Sequence, residues 1–151
     1  MMNTTPQVID FTALKFNQAS IITLTLLAFI LDIPTLAGVV AVILIAGSLK
    51  PKLALFIQVY VAVLKPLNLL KPNPVEDFPA PHEFAQLLGG IVLGAGSVLL
   101  FAGSILSGWL LAWIVIILAA ANLFLGFCAG CFVYYQLGKL GVPGFHSSSH
   151  E

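Results

Sequence analysis

The chain has 151 residues, of which 60% are hydrophobic and only 8% are charged, and its mean hydropathy is +1.07. A soluble domain carries about 25% charged residues, so this composition excludes an ordinary soluble protein and indicates an integral membrane protein in contact with a lipid bilayer. The six basic residues balance six acidic ones, which excludes the basic surface that a nucleic-acid-binding protein needs.

Two apolar runs near the N-terminus predict a helical hairpin. The first covers residues 16–31 and the second residues 35–49, with an Asp-Ile-Pro turn between them. Each run is slightly shorter than the roughly 20 residues of a transmembrane helix, and flanking polar residues supply the remaining length. A cleavable signal peptide fits the first run less well, because few basic residues precede it and no small-residue cleavage site follows it.

The middle of the chain predicts two segments that do not cross the membrane. Residues 53–64 lie between two lysines and are too few to span, so they predict a helix in the membrane interface. Residues 71–83 contain four prolines and three acids and predict an aqueous connector without regular structure, because proline removes backbone donors. The buried side of the interfacial helix is expected to consist of Leu53, Phe56, Ile57, Tyr60, Val61 and Leu64.

The second half repeats this plan. Residues 84–106 form an apolar run of full length, Ser107 and Gly108 predict a turn, and residues 109–137 run back as a fourth span. The polar tail over 142–151 is predicted to be disordered. The expected fold class is therefore an all-α membrane protein, one domain over the whole chain, with four transmembrane helices as two hairpins plus the interfacial helix.

A sequence echo supports a repeat of the hairpin. The pattern D-F-x-A followed by F-x-Q occurs at residues 10–18 and, with one residue inserted, at residues 77–86, just before the first helix of each hairpin. Two hairpins that enter from the same side predict a parallel internal repeat. Chance similarity between two interfacial segments is the alternative.

The lysines predict the orientation. With four spans, all six fall on the side shared by both termini and the connector, and the two opposite turns contain none. Because positively charged loops stay in the cytosol, we expect a multi-pass membrane protein with both termini cytosolic. The lysines are Lys15, Lys50, Lys52, Lys65, Lys71 and Lys139.

The only two cysteines, Cys128 and Cys131, form a C-x-x-C pair near the cytosolic end of the fourth span. A reducing cytosol disfavours a permanent disulfide and permits a reversible one. We expect the helix to continue through the pair to about Leu137, where its C-terminal dipole keeps the thiol pKa values near or above about 8.5. A break at Gly126 would invert this argument, because the cysteines would then begin a new helix.

Polar residues at the same end complete a candidate redox site. A hairpin turning near Ser107 places Cys131 level with Glu83 and Cys128 level with Gln86. His82 and Glu83 are candidate bases for a thiol. The candidate binding residues are Asn17, Gln18, Gln86, Tyr134 and Tyr135. The alternative is that these side chains cap helices and that the cysteines only pack in the bundle.

A zinc site is the other reading of the cysteines. His82, His146 and His150 are all predicted to lie on the cysteine side, but only His82 has a reason to be close, and a structural zinc site needs four ligands. The sequence therefore predicts no metal and no cofactor.

The third span contains a G-x-x-x-G motif at Gly90 and Gly94. Small residues at this spacing let helix backbones approach closely, within the bundle or in a homo- or hetero-oligomer. No Asp, Glu, Lys, Arg or His lies inside any of the four runs, which disfavours an ion pathway.

Three motifs in order, at residues 10–18, 79–86 and 126–135, resemble a bacterial integral-membrane family, domain of unknown function 4395. That resemblance implies no established activity or catalytic residues. The cysteine pair and the four-helix shape are also similar to the DoxX-like membrane proteins, some of which are thought to work beside thiol and sulfur-transfer enzymes. This second resemblance implies redox or sulfur handling.

The leading functional hypothesis is a membrane thiol protein. Its C-x-x-C pair would exchange disulfides with a thioredoxin- or rhodanese-like cytosolic partner or would accept sulfur from it. A non-catalytic subunit or assembly factor of a membrane complex is the alternative, and a carrier for a small uncharged or sulfur-containing solute is the third. Whether the protein is an enzyme stays open at this point.

Overall fold

The computed structural model describes residues 7–145 and consists mainly of helices. In chain order the elements are β1 Gln7–Asp10, α1 Phe11–Ile30, α2 Pro34–Leu49, a 3₁₀ turn Pro51–Leu53, α3 Leu55–Val59, a π-helical turn Tyr60–Leu64, β2 Pro74–Asp77, α4 Pro79–Phe101, α5 Ile105–Leu125 and α6 Ala129–Lys139. Of the tail expected to be disordered, residues 146–151 lie outside the described part, so for them that expectation stays a prediction, whereas residues 142–145 are described and Phe145 packs against Phe84.

Three helices are long and apolar enough to cross a membrane, namely α1, α4 and α5. Helix α2 is apolar but has 16 residues, about 24 Å of helix against a hydrocarbon core of about 30 Å. The outward faces carry large apolar side chains, and Val42, Val98 and Ile117 are each at least 60% exposed. Such a surface needs lipid around it, which confirms the expectation of a helical membrane protein.

Helix α4 is the centre of the packing, because it contacts α2, α5 and α6. At Gly90 an added Cβ would lie 2.8 Å from Ile45 Cγ1 and 3.2 Å from the carbonyl oxygen of Ala41. Gly94 faces the same residue of α2, with Ala41 Cβ 3.7 Å from its added Cβ. The G-x-x-x-G face is therefore used inside the bundle, and a contact between copies through these glycines is not supported.

The turn between α4 and α5 lies at residues 102–104, so the prediction of a turn at Ser107 and Gly108 is wrong. Gly103 has a φ of +87°, which only glycine adopts without strain. Gly108 lies inside α5, where its carbonyl oxygen would be 2.9 Å from a Cβ added to Gly96. The pair that suggested a turn instead lets two helices approach closely.

The connector contains a strand, so the prediction that residues 71–83 have no regular structure is wrong. Strand β2 pairs antiparallel with β1, with Asp10 opposite Pro74 and Gln7 opposite Asp77. Pro74 occupies the first position of its strand, and Pro79 begins α4. Proline is tolerated at both kinds of position, because neither requires its backbone donor.

Asp10 explains why α1 begins at Phe11 and not near residue 16. Its Oδ1 accepts hydrogen bonds from the backbone N–H groups of Thr12 and Asn73, both at 3.0 Å, and its Oδ2 accepts one from the Tyr60 hydroxyl at 3.2 Å. Burial alone would raise the pKa of Asp10, but these hydrogen bonds outweigh it and hold the pKa below its usual value. One carboxylate thus caps α1 and ties two later segments to it.

The segment over 53–64 is helical, as expected, but its buried side is smaller than predicted. Tyr60 is fully buried, whereas Leu53 and Val61 are about half exposed. A location in the membrane interface stays a prediction for this segment.

Replacing Asp10 with Ala is expected to cost about 1 kcal/mol of stability at pH 7, the usual cost of losing a helix cap. Because the pKa of Asp10 is lowered in the folded state, its contribution is present above the unfolded value of about 3.9 and is lost as the pH falls through the folded value. Thermal unfolding in detergent at pH 7 and pH 3 should therefore show a difference from wild type that shrinks in acid. Glu76→Ala, an exposed acid of the same ribbon, is the control, and an equal effect of both variants would contradict this account.

Gly90→Ala is expected to destabilise the protein by about 1–3 kcal/mol, because the added methyl overpacks the contact with α2. Gly89→Ala meets no atom within 4 Å and should be neutral or stabilising by up to about 1 kcal/mol, because alanine favours a helix over glycine. Thermal midpoints of the two variants in the same detergent provide the measurement. Equal midpoints would refute the close approach of α4 to α2.

Candidate functional site

The chain breaks between α5 and α6, immediately before the cysteines. Gly126 lies in the left-handed region with a φ of +67°, and Cys128 is the N-cap of α6. The prediction of a continuous helix to Leu137 is therefore wrong: Gly126 has no Cβ and can end a helix where other residues would be strained. The cysteines begin a helix, so the dipole that they experience is the reverse of the one expected.

Cys128 and Cys131 are joined by a disulfide bond, with their Cα atoms 5.1 Å apart. The backbone N–H of Cys131 donates a hydrogen bond to Cys128 Sγ over 3.2 Å. Cys128 is half-buried, whereas Cys131 is only 8% exposed. Cys128 is therefore the more exposed of the two cysteines.

His82, in the first turns of α4, lies directly against the disulfide. Its Nδ1 is 3.7 Å from Cys131 Sγ, and its Nε2 is 3.2 Å from Asp77 Oδ2. An ionised carboxylate only accepts hydrogen bonds, so the ring proton belongs on Nε2 and the Nδ1 lone pair faces the sulfur. Asp77 is itself held by the backbone N–H of Phe78, which donates to Oδ1 over 2.7 Å.

A pocket of about 400 Å³ opens beside the disulfide, at the end of the bundle where α1 and α4 begin. Both cysteines and His82 line it, together with four of the five candidate binding residues: Asn17, Gln18, Gln86 and Tyr135. Glu83 and Tyr134 line neither this pocket nor the apolar one described next. Tyr134 is 2% exposed and packs against Phe84 and Phe145.

A second, apolar pocket of about 170 Å³ lies deeper between the helices, against Leu44, Val92 and Val115. It shares part of its wall with the first pocket. The shared residues are Gln18, Ala85, Gln86, Asn122 and Cys128. Cys128 therefore lines both the larger pocket beside His82 and the more apolar pocket between the helices.

The position of the cysteines against α4 depends on Gly130. A Cβ added to Gly130 would overlap Ala85 of α4, so only glycine lets α6 approach this closely. The same contact keeps Cys131 near His82, because Ala85 lies less than one helical turn after His82.

Asp77 and Asn122 are the site residues that the sequence analysis missed. A signal for Asp77 was present, because it opens the second copy of the sequence echo five residues before His82. Asn122 was visible as a polar residue deep in an apolar run. His146 and His150, considered above as zinc ligands, lie outside the described residues.

Residues 9–139 match the family described as Domain of unknown function (DUF4395). This match covers most of the chain, so the protein belongs to that family. No curated protein and no solved structure matches the chain. The resemblance to DoxX-like proteins therefore gains no support.

Gly130→Ala is expected to push α6 away from α4 and to expose Cys131. In the reduced protein, wild-type Cys131 should be alkylated at least about fivefold more slowly than Cys128, because it is buried. The variant should bring the two rates close together, as measured by mass spectrometry of the labelled peptides. Gly89→Ala is the matched control on α4, and unchanged protection of Cys131 in Gly130→Ala would contradict the docking described here.

Proposed function

We propose that this protein is a membrane thiol–disulfide exchange protein whose Cys128–Cys131 pair reacts with a soluble thioredoxin- or rhodanese-like partner. The observation that carries the proposal is the placement of the C-x-x-C pair at the start of a helix, with the half-buried Cys128 first and the buried Cys131 second. The N-terminal end of a helix stabilises a thiolate. A C-x-x-C pair that only packed in the bundle would gain nothing from this placement.

The exchange runs through a mixed disulfide. A partner thiolate attacks Cys128 Sγ, the partner–Cys128 bond forms, and the bond to Cys131 breaks to release the Cys131 thiolate. A second thiolate of the partner then attacks the partner sulfur of the mixed disulfide and releases Cys128. The partner leaves oxidised, and the pair has gained two electrons and two protons. The reverse sequence reduces a partner.

His82 is positioned to act as the base that accepts the thiol proton of Cys131 in this cycle. Its Nδ1 lone pair, 3.7 Å from Cys131 Sγ, can take the proton of the Cys131 thiol when that sulfur attacks the mixed disulfide. Asp77 stabilises the imidazolium that forms and holds the ring in position. His82 is therefore the base of the proposal, and Glu83, which lines neither pocket, has no part in it.

The cytosolic orientation belongs to the same proposal. We place the cysteine end in the cytosol, because the six lysines sit at the helix ends and connectors on that side of a four-span arrangement. In this arrangement α2 is the second span, completed by its polar flanks, and the two hairpins are repeats. Cytosolic reductants would then keep the pair reversible.

The apolar pocket favours a second candidate function, the binding of a small uncharged or sulfur-containing solute. Its walls are formed mostly by aliphatic side chains, with amide groups only at the side shared with Cys128. A carrier or sensor for such a solute would need this pocket and would not need the disulfide. A subunit or assembly role through the glycine face loses its main argument, because that face is occupied by α2.

Mixed-disulfide trapping tests the redox function. In the reverse direction, Cys131→Ser is expected to accumulate a mixed disulfide between Cys128 and an oxidised thioredoxin-like protein, because the Cys131 thiol that would attack Cys128 Sγ and release the reduced partner is gone, whereas Cys128→Ser should trap none. In the reduced wild type, Cys128 should react with iodoacetamide already at pH 6, as a thiolate at a helix N-terminus does. Non-reducing gels and mass spectrometry provide the readout, and a membrane-impermeant maleimide should reach Cys128 only from the cytosolic face.

Two results would count against the proposal. If neither cysteine of the reduced protein is alkylated even at pH 9 in detergent, the cysteines are packing residues. If Cys128→Ser and Cys131→Ser trap partners equally, the order of attack assigned to the two sulfurs is wrong. Unchanged biological activity of the double Cys→Ser variant would favour the solute-binding function.

A further inference from the structure

We infer that the reduced site binds a thiophilic metal ion with a filled d shell, Zn²⁺ or Cu⁺, through Cys128 Sγ, Cys131 Sγ and His82 Nδ1. The inference rests on the reduced dithiol of the proposed function but concerns a different property of the same side chains. It revises the expectation of no metal, which assumed that only a four-residue zinc site was worth considering.

The distances between the ligand atoms fit a metal. The three atoms all lie within 4.8 Å of one another. In a tetrahedral zinc site with Zn–S of about 2.3 Å and Zn–N of about 2.0 Å, neighbouring sulfur and nitrogen ligands are about 3.5 Å apart. Cys131 Sγ and His82 Nδ1 are 3.7 Å apart. The two sulfurs need only separate to about 3.8 Å once their bond is reduced.

The surroundings of the ligands are also those of a metal site. A histidine that binds a metal through one nitrogen usually donates its other N–H to a carboxylate, which fixes the ring. Asp77 Oδ2 accepts that hydrogen bond from His82 Nε2 over 3.2 Å. The backbone N–H of Cys131 donates to Cys128 Sγ, which would help to stabilise a thiolate ligand.

The ligand set selects the metal class. Two thiolates and one imidazole suit Zn²⁺ and Cu⁺, whereas Mg²⁺ and Ca²⁺ require oxygen ligands. Three ligands leave a fourth position of Zn²⁺ open toward the pocket of about 400 Å³, and Cu⁺ is satisfied by three. The pocket therefore offers room for water or a substrate thiolate on the metal.

Metal binding and disulfide exchange exclude each other. A dithiol reductant gives two electrons and two protons to the disulfide and becomes a disulfide itself. The metal ion then displaces the two thiol protons, which pass to solvent. Reoxidation of the cysteines by a partner disulfide removes both thiolate ligands and releases the ion. The redox state of the pair would thus control the metal.

The test uses the full chain in detergent, without a polyhistidine tag, reduced with dithiothreitol and then freed of it under argon. Titration with Zn²⁺ against a chromophoric chelator, and with Cu⁺ against bathocuproine disulfonate, should show one ion per reduced chain and none per oxidised chain. Co²⁺ substitution should give the thiolate-to-cobalt absorption of a two-sulfur site. The two affinities measure how strongly the reduced site prefers one ion over the other.

Variants assign the ligands. Cys128→Ser and His82→Gln are expected to weaken binding at least about 100-fold, and Asp77→Asn by about 10–100-fold, because Asp77 acts through His82. Glu83→Gln, the neighbour of His82 that lines neither pocket, should leave the affinity unchanged.

The outcomes separate this inference from the proposed exchange function. Two titratable thiols with no metal binding above that of the Cys128→Ser, Cys131→Ser double variant would overturn the metal site alone. Metal binding without mixed-disulfide formation would overturn the exchange function alone. A disulfide that dithiothreitol cannot reduce would overturn both.

Discussion

Close approach between helix backbones is the constraint on which the rest of this molecule depends. Lipid tails are as apolar as the side chains of the bundle, so helices associate by close van der Waals packing more than by the hydrophobic effect. Small residues allow this close packing on helix α4. Gly90 faces α2, Gly96 faces α5, and Ala85 packs against Gly130 of α6. Because His82 lies on the first turns of the same helix, the packing that holds the bundle also positions the candidate base.

The candidate site is built from two segments that are distant in the sequence, around His82 and around the cysteines, and that the fold brings to one place. Pairing of β1 with β2 sets Asp77 at the end of a strand, from which α4 starts and carries His82 toward the cysteines. Because the helix breaks at Gly126, the disulfide lies at the N-terminal end of α6 and not at the C-terminal end of α5. Gly126 therefore determines that the sulfurs face the positive end of a helix dipole.

A single lone pair links the two properties inferred for the site. Asp77 holds the ring proton of His82 on Nε2, so Nδ1 presents its lone pair to Cys131. That lone pair can accept a proton from a thiol or can bind a metal, but not both at once. Reduced and metal-free, reduced and metal-bound, and oxidised states would then be the three states of one small site.

The apolar runs by themselves determined that this is a helical membrane protein, because a chain with so few charged residues cannot form the hydrophilic surface that a soluble protein needs. They also located the segments of α1, α2 and α4 to within about five residues, whereas the predicted fourth run, residues 109–137, covers most of α5 together with most of α6. The cysteines were expected beside the start of α4, and they lie there, although the turn used in that argument was misplaced. The sequence could not decide whether Gly126 continues a helix or ends one, since glycine permits both. Packing of α6 against Ala85 stabilises the helix break at Gly126, and that contact exists only in the folded bundle. The same holds for the prolines of the connector, which break isolated helices and strands but are accommodated once β1 and Asp10 hold β2 and Asn73 in place.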